Sequence, residues 1–261
     1  MGMSLQLPLI PLPLTAAAGG GFAQFFANLY SQLADQFNQC FVSQNRYLYI
    51  IDGLKNTLII TVFAVLLGVV LGAIVALVKV GHANDPKKLR FANKICNLYL
   101  TLIRGTPVVV QLMIMYYIIL SPAKWVSDIT AAILAFGINS GAYVAEVIRS
   151  GIQSVDKGQM EAGRSLGLSQ RTTMVKIIFP QALKNVLPAI GNEFIALLKE
   201  TSVAGYIGIQ DLTKGGYIIL SITYLPFTPL LTTAAVYLVI VIGLTAVLTR
   251  LERRLHRSDN R

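Results

Sequence analysis

Residues 56–78 read NTLIITVFAVLLGVVLGAIVALV, with no Asp, Glu, Lys or Arg. A helix crosses the hydrocarbon core of a bilayer with about 20 mainly apolar residues, and positions 58–77 are almost wholly aliphatic. Four further runs follow. Residues 105–123 and 129–145 are uncharged, the latter continuing through 146–148. Residues 215–249 are uncharged too, with the helix expected from Thr228 because Pro226 and Pro229 punctuate the start. Residues 188–209 are apolar apart from Asn192, Glu193, Lys199 and Glu200. One such run could be the core helix of a soluble domain, but five predict an all-α integral membrane bundle of five transmembrane helices.

Composition agrees. Of 261 residues, 54% are hydrophobic and 13% charged, against about a quarter charged in soluble domains, and the mean hydropathy is +0.63. This excludes an ordinary cytosolic enzyme, a disordered chain and a disulfide-rich module. The net charge of +10 need not signal nucleic acid, because basic loops on the cytoplasmic side of a membrane produce the same excess. Sixteen of the 22 basic residues fall after the first run (Lys79, Lys87, Lys88, Arg90, Lys94), between runs three and four (Arg149 to Lys184) and at the C-terminus (Arg250 to Arg261). Five alternating spans put these on one side. The positive-inside rule makes that side cytoplasmic, with the N-terminus outside and the C-terminus inside. Cys40 and Cys96 then lie on opposite sides and cannot pair.

The first 34 residues carry no charge. Residues 5–14 are apolar but hold Pro8, Pro11 and Pro13, which argue against a spanning helix. The missing basic n-region argues against a cleaved signal peptide. Phe22, Phe25, Phe26, Leu29, Leu33, Phe37 and Phe41 then recur at helical spacing among Gln24, Asn28, Gln32, Asp35 and Gln39. The pattern fits an interfacial helix on the outer leaflet, or equally a helix packed on the other spans.

Residues 149–184 are long for a loop and have the composition of helices, the alternative being a solvated connector that merely links two spans. Positions 158–166 suit one short helix. Ser169 suits the N-cap of a second, through Thr172, Val175 and Ile178. Gly167 sits at the corner between them, where a residue without Cβ is needed, and Pro180 follows. A rigid helix pair joined to two spans can act as a lever.

Glu161-Ala162-Gly163, Gly167 four positions on, then Ile177 and Pro180 resemble the coupling motif of permease subunits of binding-protein-dependent ABC importers. Gly163 stands where that pattern has a second Ala and Phe179 where it has Leu. A second set resembles the polar amino acid branch of these permeases. It comprises Arg104-Gly105-Thr106-Pro107 with Gln111; Asn139-Ser140-Gly141-Ala142-Tyr143 with Glu146; Pro180-Gln181-Ala182-Leu183; Gly191-Asn192; and Leu198-Lys199-Glu200-Thr201-Ser202. The resemblance covers roughly residues 51–255. It implies an N-terminal extracytoplasmic or interfacial segment (1–50), a permease transmembrane domain (51–255, coupling helices about 150–180) and a cytoplasmic tail (256–261). It also implies a bacterial inner-membrane importer for polar amino acids, basic ones included. A second permease chain, identical or not, would complete the path. Two ATPase subunits would dock on Glu161, Ala162, Gly163, Gly167, Ile177 and Pro180, with Ala162 and Gly163 small enough for close approach. An extracytoplasmic binding protein would deliver the solute. ATP and magnesium would be bound by the ATPase, leaving this chain with no cofactor, no metal and no catalytic residue.

Polar groups inside spans are expensive and face a cavity or partner. Lys199 and Glu200 come about 12 residues after Pro188, near mid-bilayer at ~1.5 Å rise per residue. Thr201 and Ser202 next to them can bond a ligand or opened backbone. A polar interruption of a span points to a transport site, the alternative being a structural Lys199–Glu200 arrangement at a subunit interface. Asn139, Tyr143 and Glu146 share one helix face, Asn139 near mid-depth and Glu146 nearer the cytoplasm. Arg104 is expected level with Glu146, either as its ion-pair partner or as a substrate contact; Gln111 joins the candidate path. Thr106 before Pro107 reads as a helix restart. Asn192 and Glu193 are expected closer to the cytoplasm, serving packing or gating. Gly68 with Gly72, and Gly137 with Gly141, have the spacing of close helix packing.

No GxxxxGK[ST] stretch, HExxH or CxxC occurs, and His82 and His256 are isolated, so an integral membrane enzyme finds no support. Two other readings stay open: an ion-coupled secondary transporter using Glu146 and Glu200 as proton or sodium sites, and a non-transporting membrane scaffold.

Overall fold

The computed structural model describes residues 22–123 and 125–256. The proline-rich segment 5–14, the side chains of Phe22 and Phe25, and Arg257 and Arg261 of the tail lie outside the described residues. Every regular element among the described residues is helical.

Helix α1 (Phe22–Phe37) runs on as a π-helical turn, Asn38–Val42. Gln44 and Asn45 then take left-handed φ of 56° and 54° and turn a corner. Arg46 braces it, with Nη1 donating to the Gln39 carbonyl (2.8 Å) and Nη2 to Gln44 Oε1 (3.0 Å). Helix α2 (Tyr47–Asn84) has 38 residues, about 57 Å at 1.5 Å per residue, so it overruns its apolar stretch at both ends. It continues past Lys79, which sequence alone placed in a basic loop. The true loop is short and centred on Asp85. The Lys87 backbone amide, and after it the Lys88 ammonium, hold the Asp85 carboxyl below its usual range.

Helix α3 (Arg90–Arg104) and α4 (Val108–Ile114, continued by a π turn Met115–Ile119) form a pair bent by 108°. The run expected as one span over 105–123 is thus the second arm of a broken element that starts at Arg90. Helix α5 (Asp128–Gln153) is capped by Ser127, which accepts from the Thr130 amide at 3.2 Å. Then come α6 (Lys157–Ser165), α7 (Gln170–Thr173) with a π turn Met174–Ile178, α8 (Phe179–Glu200) and a 3-10 turn Thr201–Ile207. Helices α9 (Leu212–Thr223) and α10 (Phe227–His256) are the last of the described elements.

Among the described residues, three helices are long and apolar enough to cross a membrane: Tyr47–Ala83, Asp128–Gln153 and Phe227–Leu255. The bent pair makes a fourth candidate. The expected span 188–209 is not one helix, because α8 ends at Glu200 and tightens into the 3-10 turn. Its start also lies further back. Through the π turn, α7 leads without a break into α8, so the second coupling helix and this membrane element are one rod.

The core centres on α2 against α5. A Cβ on Gly68 would lie 2.8 Å from Ser140 Oγ, and one on Gly72 2.7 Å from Val144 Cβ. The GxxxG spacing is therefore used, bringing backbones together where lipid offers no hydrophobic drive between helices. Ile60, Leu112, Phe136 and Leu197 are fully buried around this contact. Helix α10, by contrast, leaves Leu238, Val239, Ile242 and Val247 exposed.

Candidate functional site: coupling hairpin and translocation path

Helix α6 begins at Asp156, whose Oδ1 accepts from the Gly158 amide at 2.8 Å, and α7 at Ser169, whose Oγ accepts from the Thr172 amide at 3.1 Å. Between them Gly167 has φ +83°. The Leu168 amide bonds the Gly163 carbonyl (3.1 Å) and the Gly167 amide the Arg164 carbonyl (3.0 Å). This is the paired closure that satisfies the last carbonyls of a helix ending in a left-handed residue. Glu161 and Ala162 face outward and are exposed. Gly163 does not: a Cβ there would lie 2.5 Å from Thr173 Cγ2 and 2.8 Å from Thr173 Oγ1. Gly163 thus serves the crossing of α6 over α7, not the approach of another subunit. Ile177 lies half-buried in the π turn, and Pro180, which has no N–H to give, is the second residue after it, in the first turn of α8. Leu166 is 81% and Val175 59% exposed, leaving the hairpin with an apolar outer surface.

The break between α3 and α4 is held by one side chain. Gln111 Nε2 lies within hydrogen-bond distance of the Ile103 carbonyl (2.7 Å), the Thr106 carbonyl (3.0 Å) and Thr106 Oγ1 (2.8 Å). Its Oε1 accepts from Asn139 Nδ2 on α5 at 2.9 Å. Thr106 does not cap the new helix; its hydroxyl donates back to the Leu102 carbonyl at 2.8 Å, and Pro107 is the N-cap. Gln111 and Asn139 are therefore brought together as a strut across the bend. Replacing Gln111 by Leu removes these bonds and strands Asn139, which is 3% exposed. A loss of about 1–3 kcal/mol is expected, read as a lower unfolding temperature of the purified chain.

Arg104 and Glu146 do not pair. The Arg104 guanidinium lies over the Tyr143 ring, 5.8 Å from its centroid. Glu146 pairs with Arg149 one turn on, with Nε donating to Oε2 at 2.9 Å and Nη2 to Oε1. The i, i+3 spacing makes Arg149 the nearer cation on the same helix.

Glu200 and Lys199 are exposed at the end of α8. Thr201 is fully buried, and its hydroxyl donates to the Leu198 carbonyl at 2.8 Å, closing the helix end rather than facing a ligand. Ser202 and Lys199 line an open groove of about 490 Å³ with Thr213, Tyr237 and Val241. Their depth differs from the sequence expectation. Leu197, Ala204 and Ile207 share a cluster with Ile60, Ala64 and Val65 of α2, towards its N-terminal end. Glu193, expected nearer the hairpin, instead accepts from Ser140 Oγ at 3.1 Å, and Ser140 meets Gly68 at the centre of the apolar run. The acid at mid-span is therefore Glu193, and Glu200 lies beyond it, away from the hairpin.

Sequence reasoning missed the junction after the 3-10 turn. Asp211 is fully buried and caps α9, accepting from the amides of Thr213 (2.9 Å) and Lys214 (3.2 Å). Asn56 Nδ2 donates to the Gln210 carbonyl (2.9 Å) and Gln210 Nε2 to the Tyr49 carbonyl (3.2 Å). The signal was present as Gly208 (φ +87°) before an Asp N-cap, the local signature of a turn into a helix.

The sequence profile of the family described as "Binding-protein-dependent transport system inner membrane component" matches residues 68–257. The chain is 37% identical over 212 residues to the "Arginine transport system permease protein ArtQ" of Bacillus subtilis, covering 81% of this chain and 94% of that protein. It is 36% identical over 210 residues to the "Glutamine transport system permease protein GlnP" of Escherichia coli, covering 79% and 92%. Among solved structures it resembles a chain of "an amino acid ABC transporter with histidines", with TM-score 0.74, 43% identity, and coverage of 82% of this chain and 98% of that one. The MetNI methionine transporter, at 19% identity and TM-score 0.67, shares the fold. A profile match across the bent pair, the α6–α7 hairpin and α8, joined to relatives covered almost whole, places this chain in the family of inner-membrane components of binding-protein-dependent transport systems.

Proposed function

We propose that the chain is the permease subunit of an ATP-driven importer of polar amino acids, basic ones included. The observation that carries this is mechanical. The hairpin of α6 and α7 has an exposed apolar surface at Leu166 and Val175 and continues as one rod into α8, whose far end presents Lys199 and Glu200. Motion imposed on the hairpin is delivered at the other end of α8. The relatives named for arginine and glutamine transport support the substrate class.

In this reading a second permease chain covers the exposed face of α10 and the groove at Ser202 and Tyr237. Two ATPase subunits grip Glu161, Ala162, Leu166 and Val175, and an external binding protein supplies the solute. ATP and magnesium reside in the ATPase subunits, so this chain hydrolyses nothing. The N-terminus lies outside and the C-terminus in the cytoplasm, with the hairpin. Glu200 and Glu193 offer carboxylates to the α-amino or cationic side-chain group of the solute, with Arg104, Tyr143 and Glu146 lower on the path.

The test is uptake into proteoliposomes holding the complete assembly. Glu200→Gln should lower uptake of a cationic amino acid about tenfold, the worth of one charge-assisted hydrogen bond, while the assembly stays intact. Unchanged uptake would remove Glu200 from the path. Co-purification of the tagged chain from its membrane should bring down a P-loop ATPase in near-equal amount; recovery of the chain alone would overturn the importer reading.

A further inference from the structure

Helix α1 precedes the part of the chain matched by the family profile, which begins at Gly68. Its C-terminal end is tied down. Cys40 and Phe41 are buried in a cluster with Ile50, Leu212 and Ile219, and the Phe37 and Phe41 rings lie 5.0 Å apart. Thr228 Oγ1 donates to Gln36 Oε1 at 2.9 Å. Towards its N-terminal end α1 is largely exposed, with Tyr30 76% and Leu33 41% accessible, and Phe37, although its ring meets Phe41, is still 51% exposed. Leu29, Leu33 and Phe37 form one stripe at helical spacing, while Asn28, Ser31, Gln32 and Asp35 lie on the other side. A helix of 16 residues packed on the protein only near its C-terminal end is marginal in water, so the stripe needs a surface.

The anchoring points say which surface. Thr228 is the second residue of α10, at the start of its long uncharged run. The α2 residues beside the Cys40 cluster, Tyr49, Ile50 and Leu54, are interspersed with Asp52 and Lys55, the last charges before the apolar run begins. Both spans thus enter the hydrocarbon at the level where α1 is attached, and this end is opposite the coupling hairpin. At that level an apolar stripe meets the boundary between headgroups and acyl chains. The exposed aromatics Tyr30 and Tyr224 suit the same zone.

We propose that α1 lies in the membrane interface of the leaflet opposite the hairpin, its Leu29–Leu33–Phe37 stripe turned into the lipid. The partner is the bilayer surface itself. The attraction is apolar rather than electrostatic, because α1 carries no basic residue, so zwitterionic lipid should suffice.

The test uses the purified full chain in nanodiscs of phosphatidylcholine, so that no other subunit contributes tryptophan fluorescence. With Trp125, the only tryptophan, replaced by Phe, Leu33→Trp and Gln32→Trp report the two faces. Fluorescence of the Leu33→Trp variant should be quenched several-fold more by lipids brominated near the glycerol end than by aqueous iodide. Gln32→Trp should show the reverse preference. Protection of Leu33→Trp from both quenchers would mean that protein covers the stripe, and quenching by iodide would mean that water does; either overturns the proposal. Transport itself is not the readout, so failure here is separate from failure of the importer reading.

Discussion

Replacing Gly163 by Ala is expected to uncouple this chain from its ATPase. The added methyl would sit 2.5 Å from Thr173 Cγ2, and Thr173 is fully buried and tied to the Ser169 carbonyl through its hydroxyl at 3.1 Å. It has nowhere to retreat, so α6 must lift off α7. Overpacking of this kind costs about 1–3 kcal/mol, and a hairpin distorted by it should bind the ATPase subunit roughly ten- to a hundredfold more weakly. The readout is the ATPase recovered per tagged permease, alongside ATP-driven uptake. Adding Thr173→Ala deletes Cγ2 and Oγ1, the two atoms within 3.0 Å of the new methyl, and should restore both readouts. Rescue would separate this steric account from a loss of helix character, since Ala is the better helix former and by propensity alone should help.

Gly215→Ala is expected to be the most damaging single change to stability. The Cβ would fall on the carbonyl oxygen of Tyr49, a backbone atom of α2. Gly53, one turn on, already lies so close to the Asp211 carbonyl that a Cβ there would stand 2.5 Å away. Side chains can rotate aside; two backbones cannot, so α9 would have to leave α2 and break the bonds of Asn56 and Gln210. A loss of about 3 kcal/mol should lower the midpoint of thermal unfolding by about 10 °C. Gly243→Ala is the control. No atom lies within 4 Å of a Cβ at that position, and the same chemical change there should leave stability unchanged or raise it by about 0.5–1 kcal/mol.

These two glycines mark how far reading along the chain could go. Gly163 was visible as a departure from the coupling pattern, and the natural inference was a small residue that another subunit could approach closely. Its cause is Thr173, ten positions away, whose bulk takes the space a second Ala would need. Gly215 looked like any glycine in an apolar run, because nothing local says that Tyr49 lies above it.

The apolar runs, the Ser169 cap, the Gly167 corner and the paired glycines of α2 and α5 were legible in the sequence alone. Each is decided within a few residues, by hydropathy, by a side chain reaching its own backbone, or by a missing Cβ. The family could be recognised for the same reason, since its motifs are strings of neighbours. The partner of each polar side chain was decided only by tertiary structure. Glu146 pairs with Arg149 and not Arg104, Gln111 with Asn139, and Glu193 with Ser140, while Asp211 is buried as a cap. The depth of Glu200 was set by where α8 stops and which part of α2 it meets. Hydrogen bonds reach about 3 Å, so their assignment depends on how helices far apart in sequence are placed side by side.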